Sequence, residues 1–133
     1  MFLNGNTFDM RVLGIDYGTK RIGVAIGDTD TKTAVPLLVV QMANGKWQID
    51  EIEKIVEKEQ VELVVIGQGG RGRMEKKVQE FVKKLRKHVT VEIVDEHFTT
   101  AQVERTIKVY GKARKVIDKD SAAAALILQD WLD

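Results

Sequence analysis

Three acids in this chain stand where a carboxylate needs a reason. Asp16 ends the apolar run VLGI (Val12 to Ile15), where an unpaired carboxylate is costly to bury. Glu96 follows directly on a β-rich run, in VDEHFTT. Asp120 precedes the alanine-rich stretch SAAAALILQ. In sheets with alternating helices, ligand sites gather at strand ends and adjoining helix starts. Three carboxylates meeting there would repel, since one like-charge pair at ~4 Å costs about 4 kcal/mol at an effective dielectric near 20. A cation or partial protonation makes such a cluster tolerable. The chain has no cysteine and only 2 histidines. Oxygen donors without thiolates suit a hard ion, Mg²⁺ or Mn²⁺. Two such ions ~4 Å apart can activate water and stabilise the leaving oxygen in phosphodiester cleavage. Spacing alone does not show that the acids converge. Taken singly, Asp120 reads as a helix N-cap or first-turn acid, and Glu96 as an exposed loop acid.

The basic residues supply candidate phosphate contacts. Thr19, Lys20 and Arg21 fall at a turn and the start of the strand after it. Arg71 and Arg73 lie in the glycine-rich loop QGGRGR, which lacks the Gly-Lys-Ser/Thr of a Walker A motif. Lys83, Lys84 and Lys87 stand on an amphipathic pattern, and Arg114 and Lys115 in a basic connector. Each run reads equally well as the solvated face of an ordinary helix or loop. Net charge is only +1, so any nucleic-acid surface must come from segregation of charge rather than its excess. Aromatics are 6% of residues and do not interleave with the basic runs, which argues against a single-strand stacking platform.

The elements that must position these residues follow from periodicity. Val12 to Asp16 and Arg21 to Gly27 predict a β-hairpin around Tyr17-Gly18-Thr19-Lys20. Thr33 to Gln41 is a third strand, and Pro36 argues against a fully paired central position and for an edge or a strand start. Asn44-Gly45 marks a turn. Asp50 to Glu59 has helical spacing. Leu63 to Gly67 suits a strand buried on both faces. Met74 to Lys87 is an amphipathic helix. Thr90 to Val94 is a strand, and Thr100 to Tyr110 a helix. Ser121 to Leu132 is apolar almost all round, as a buried helix is. The order β-β-β-α-β-α-β-α-α predicts an α/β fold: a mixed five-stranded sheet, its first three strands antiparallel, with helices on both faces. The 133 residues suffice for one domain with a single core. Residues 1–9 lack periodicity and read as a flexible N-terminal extension to a single domain over 10–133. No apolar run reaches the ~18–20 residues of a membrane span, and the start lacks the pattern of a secretion signal. With the absence of cysteine, this leads to the expectation of a cytoplasmic protein.

The hairpin GIDYGTKRIGVA closely resembles the opening motif of the YqgF/RuvX family. Its members have a ribonuclease H-like fold and are described as Holliday junction resolvases or pre-16S ribosomal RNA nucleases. The resemblance runs from about Arg11 to Asp133. It takes in Asp95-Glu96 with the following Thr99-Thr100, and Asp120 before the alanine-rich helix. His97 stands where the family has Arg. The resemblance implies that Asp16, Glu96 and Asp120 are the catalytic, metal-binding acids of a nuclease using Mg²⁺ or Mn²⁺. It implies a substrate of structured RNA or branched DNA, handled by a monomer or homodimer. Asp118, two residues before Asp120, is expected to be a surface acid neutralised by Lys115 and Lys119.

Two other functions compete with the nuclease. A noncatalytic nucleic-acid or ribosome-assembly binder would bind tightly without cleaving. An ATP-phosphate-binding protein is the other, because GIDYGT also resembles the phosphate hairpin of the actin-like superfamily. Those proteins enclose the nucleotide between two such domains, and this chain has room for one.

Overall fold

The apolar runs of the sequence pair into one sheet, described in a computed structural model for residues 9–18, 20–41, 49–68, 76–95, 98–111 and 118–133. The strands are β1 (Arg11–Tyr17), β2 (Arg21–Asp28), β3 (Thr33–Gln41), β4 (Val61–Gln68) and β5 (Thr90–Asp95). Their order across the sheet is β3-β2-β1-β4-β5. β1–β2 and β2–β3 are antiparallel. β4 joins β1, and β5 joins β4, in parallel. The helices are α1 (Ile49–Lys58), α2 (Lys76–Leu85), α3 (Thr100–Gly111) and α4 (Lys119–Leu132). The expected order and pairing hold, with element ends shifted by one or two residues. The Asn44-Gly45 turn, the first residues of the helix expected from Met74, and residues 1–8 lie outside the described residues.

Both faces of the sheet are covered, so β1 and β4 read as near-continuous apolar runs rather than alternating ones. α1 packs on β4, and α2 on β5. They bury Ile52, Val56, Val78, Phe81, Val82 and Leu85 against Leu13, Ile15, Val24, Val64 and Ile66. Each such side chain contributes about 1.5–3 kcal/mol by leaving water. α4 covers the other face. It touches β1, β2, β3, β4 and α3, and packs Ala124, Ala125, Ile127, Leu128 and Leu132 against Val12, Ala25, Ala34, Leu63 and Val65.

Edge strand β3 is blunted as an edge must be. Pro36 cannot donate outward, and a register shift follows it. Gln129 Oε1 accepts the Ala34 N–H (3.0 Å), and the Tyr110 hydroxyl donates to the Ala34 carbonyl (2.6 Å). These two long-range bonds also tie α4 and α3 to the sheet. Among the described residues no helix is long and apolar enough to cross a membrane.

Candidate functional site

The site starts from a row of three residues across the sheet. Asp16 on β1 lies opposite Gly23 on β2 and Gly67 on β4. Strand alternation puts Asp16 on the same face as Val12 and Gly14, the face that α4 covers. Both neighbours of Asp16 lack a side chain, so α4 descends almost to the backbone. A Cβ on Gly23 would fall on the Asp120 carbonyl, and one on Gly67 on the Ile127 side chain. A Cβ on Gly14 would meet Leu128 Cβ at 2.6 Å and the Ala124 carbonyl at 2.8 Å. Close approach, rather than turn geometry, accounts for these glycines.

That approach delivers the first turn of α4 to the end of β1. Asp118 is the N-cap: its backbone is extended, and its carboxylate accepts the Ser121 N–H at 2.9 Å. Asp118 is exposed, as expected of a surface acid, and Lys115 of its expected pairing lies outside the described residues. Asp120 sits in the first turn, where the helix dipole favours a negative charge. Its Oδ2 accepts from Arg21 Nε at 3.0 Å.

Asp16 carries the electrostatic signature of the site. Its carboxyl is pushed up to about 6, first by burial and then by the charge of Asp120. Among the described residues it has no hydrogen bond or ion pair to offset that cost. Two carboxylates converging from a strand end and a helix start, one of them short of positive charge, form an oxygen-only donor set. Such a set fits a hard divalent cation. Two carboxylates are fewer than the three expected, and among the described residues no group of three His, Cys, Asp or Glu side chains gathers.

Glu96 and His97 lie outside the described residues, but their flanks are in place. Asp95 pairs with Gln68, one residue beyond the Gly67 that faces Asp16, so β5 ends at the same end of the sheet as Asp16. Thr99 then caps α3 reciprocally with Gln102: Thr99 N–H donates to Gln102 Oε1 (2.8 Å), and Gln102 N–H to Thr99 Oγ1 (3.1 Å). This is a capping box, and it gives the Thr99-Thr100 pair a structural meaning.

The basic candidates separate by place. Lys20 is exposed at the hairpin turn beside Arg21. Lys83, Lys84 and Lys87 are exposed at the C-terminal end of α2. α2 returns the chain from the end of β4 to Thr90, which pairs with Leu63 near the start of β4. These three lysines are therefore carried to the end of the sheet away from Asp16. Thr19, Arg71, Arg73, Arg114 and Lys115 lie outside the described residues. Beyond the end of α2, His88 Nε2 meets Glu53 Oε2 on α1 at 2.9 Å. A cavity lined by Arg11, Ile26, Asp28, Thr31, Val35 and Glu59 lies at the far end of the hairpin and plays no part here.

Sequence reasoning missed the Arg21–Asp120 pair and the Asp118 cap. One signal could have found the approach of α4: glycines within three otherwise apolar strands, matched by an alanine run in a single helix.

The chain is similar to known proteins over nearly its whole length. A family model described as “RuvX: Holliday junction resolvase” matches residues 10–133. A protein of Caldanaerobacter subterraneus subsp. tengcongensis named “Putative pre-16S rRNA nuclease” is 40% identical over 136 residues, covering 93% of this chain and 96% of its own length. One of the same name from Anaplasma marginale is 38% identical over 134 residues, covering 94% of this chain and 85% of its own length. The structure of T. thermophilus RuvC in complex with a Holliday junction substrate superposes with a TM-score of 0.55 at 16% identity. That match covers 92% of this chain and 93% of the other, and it supports the ribonuclease H-like fold. With a family match over nearly its whole length and relatives this similar, the chain belongs to the RuvX family.

Proposed function

We propose that this chain is a divalent-metal-dependent nuclease that hydrolyses phosphodiester bonds in structured nucleic acid. The observation that carries the reading is the meeting of Asp16 and Asp120, with the Asp16 carboxyl raised to about 6. A fold needs no such pair for stability, because each acid costs the other. Asp16 and Asp120, with Glu96, would hold Mg²⁺ or Mn²⁺. When bound, the cation supplies positive charge at the reacting phosphate and acidifies water for attack. The protein's own part is positional. Rigid β1 fixes Asp16, the capped first turn of α4 fixes Asp120, and Lys20 and Arg21 reach the nucleic-acid backbone from the hairpin turn.

The names of the relatives favour precursor 16S ribosomal RNA as substrate, processed in the cytoplasm during ribosome biogenesis. The family description makes branched DNA the second candidate. The deciding experiment offers purified protein a precursor 16S fragment, a four-way DNA junction and plain duplexes, with Mn²⁺ or Mg²⁺. We expect cleavage of the precursor RNA or the junction, lost with chelator and lost in Asp16→Asn. Tight binding with no cleavage in either metal would replace the nuclease with a noncatalytic binder.

A further inference from the structure

One cation already serves the acidic site, and it belongs to the chain itself. Arg21 opens β2 and lies on the same face as Gly23, two residues on. Its Nε donates to Asp120 Oδ2 at 3.0 Å. The two partners are not equally fixed. The Asp120 side chain is 23% exposed and rides on the capped first turn of α4, whereas the Arg21 side chain is 51% exposed. Arg21 is therefore the partner that can swing away. An ion pair this open to solvent contributes little.

A divalent cation between Asp16 and Asp120 would need the carboxylate that Arg21 holds. Its charge would also repel a guanidinium a few ångströms away. We infer that Arg21 and the divalent cation compete for Asp120, and that the guanidinium so released becomes the group that grips a phosphate of the nucleic acid. The inference rests on the proposed nuclease reading and adds to it an order of events, cation before nucleic acid. Arg suits both tasks. Its rigid fork of N–H donors matches a carboxylate and a phosphate alike. Its place next to exposed Lys20, at the open end of the hairpin, faces it toward an arriving backbone. Arg21 is thus a positioning residue for Asp120 and a binding residue for substrate, in turn.

The two tasks give effects of opposite sign, which a merely structural ion pair would not. Mn²⁺ affinity is measured by calorimetry without nucleic acid, for wild type, Arg21→Gln and Arg21→Lys, with thermal unfolding as the folding control. Arg21→Gln is expected to bind Mn²⁺ roughly two- to fivefold more tightly, the reach of a lost surface pair. Arg21→Lys keeps the charge and should stay near wild type. Binding of the four-way junction and the precursor RNA fragment is then measured in Ca²⁺. There Arg21→Gln should bind more weakly, with its log–log salt slope reduced by about 0.7–0.9. Arg21→Lys should recover the salt slope and only part of the affinity, because it lacks the fork. Equal or weaker Mn²⁺ binding by Arg21→Gln overturns the competition and leaves the nuclease reading standing. Unchanged nucleic-acid binding overturns the phosphate role. Failure of the wild type to bind Mn²⁺ at millimolar concentration overturns the nuclease reading and this inference with it.

Discussion

On one face of the sheet β1 presents Leu13 and Ile15, flanked by Val24, Val64 and Ile66. On the other it presents Val12, Gly14 and Asp16, flanked by Gly23, Ala25, Val65 and Gly67. The first face meets α1 and α2 through large side chains, so these helices stand off from the sheet. The second meets α4 through glycine and alanine, so backbone nearly touches backbone. Large side chains fill the first face; on the second, apolar side chains flank a row of glycines that lets the backbone of α4 close in. Only the second can bring a helix terminus within reach of a strand-end carboxylate. The acids proposed to hold the cation belong to the closely packed face because a standing-off helix would leave Asp120 too far from Asp16.

This contrast predicts opposite responses to changes of volume. The largest loss is expected from Phe81→Ala on the filled face. Phe81 is fully buried and packs its ring on Tyr17 with centroids 5.2 Å apart. Truncation should cost about 3–5 kcal/mol. Metal-dependent cleavage should persist at any temperature where the variant is folded, because α4 does not rest on this face. Urea unfolding and a cleavage assay on the same preparation check both halves. Selective loss of cleavage in the folded variant would mean that the two faces are not independent.

On the empty face, adding one methyl should do what removing a ring does on the other. Gly23→Ala drives a Cβ into the Asp120 carbonyl, and backbone cannot turn aside as a side chain can. We expect a loss of about 3 kcal/mol, the upper end of the usual cost of overpacking. Cleavage should fall as well, because the first turn of α4 must lift off β2. If Gly23→Ala is as stable and as active as wild type, the close approach is not what positions Asp120.

Asp16→Asn removes a charge from the same face without changing its volume. Burial raises the folded Asp16 carboxyl to about 6, well above its unfolded value. The folded state therefore holds this proton more firmly than the unfolded state does. The contribution of Asp16 to stability is full at low pH, falls as pH rises through the ordinary carboxylate range to about 6, and is level beyond. The separation corresponds to ~3 kcal/mol. Asn avoids the charge but keeps a buried polar group, so we expect a gain of ~1–2 kcal/mol at pH 7.5 in chelator. The stability difference between pH 4.5 and pH 7.5 should shrink, and cleavage should be abolished. Unfolding of Asp16→Asn at neutral pH would mark Asp16 as a structural acid with a buried partner.

The sequence exposed the filled face more readily than the empty one. Periodicity and β-branched runs locate every strand, and Pro36 marks its edge, because these signals are local. Asp16 is legible as an anomaly because its neighbours are apolar. The reach of Asp120 is not local. It depends on Gly14, Gly23 and Gly67 falling in register on three strands, and register is set by pairing that no single window contains. The Arg21–Asp120 pair escaped for the same reason: the residues are distant in sequence and meet only after α4 docks. Spacing alone does not rank Asp118 and Asp120 as cap and site, since an acid at either position favours a helix start; the family resemblance is what singles out Asp120.

The smallest effects separate those two acids and test the empty face most finely. Asp118 holds the Ser121 N–H from the N-cap position, a task that Asn performs about as well as Asp. Asp118→Asn should therefore leave stability and cleavage near wild type, while Asp118→Ala should cost about 1 kcal/mol. Asp120 holds no backbone donor among the described residues; its partner there is the exposed Arg21. Asp120→Asn should change stability by ~0–1 kcal/mol yet lose metal-dependent cleavage as fully as Asp16→Asn. The two acids would thus divide the helix start between them, one holding the backbone in place and the other presenting its charge to the gap beside Asp16. Chemical denaturation and cleavage assays on the three variants decide it. If Asp118→Asn abolishes cleavage and Asp120→Asn spares it, the acid aimed at Asp16 is the cap itself, and the first turn of α4 sits about half a turn away from where the glycine row would place it.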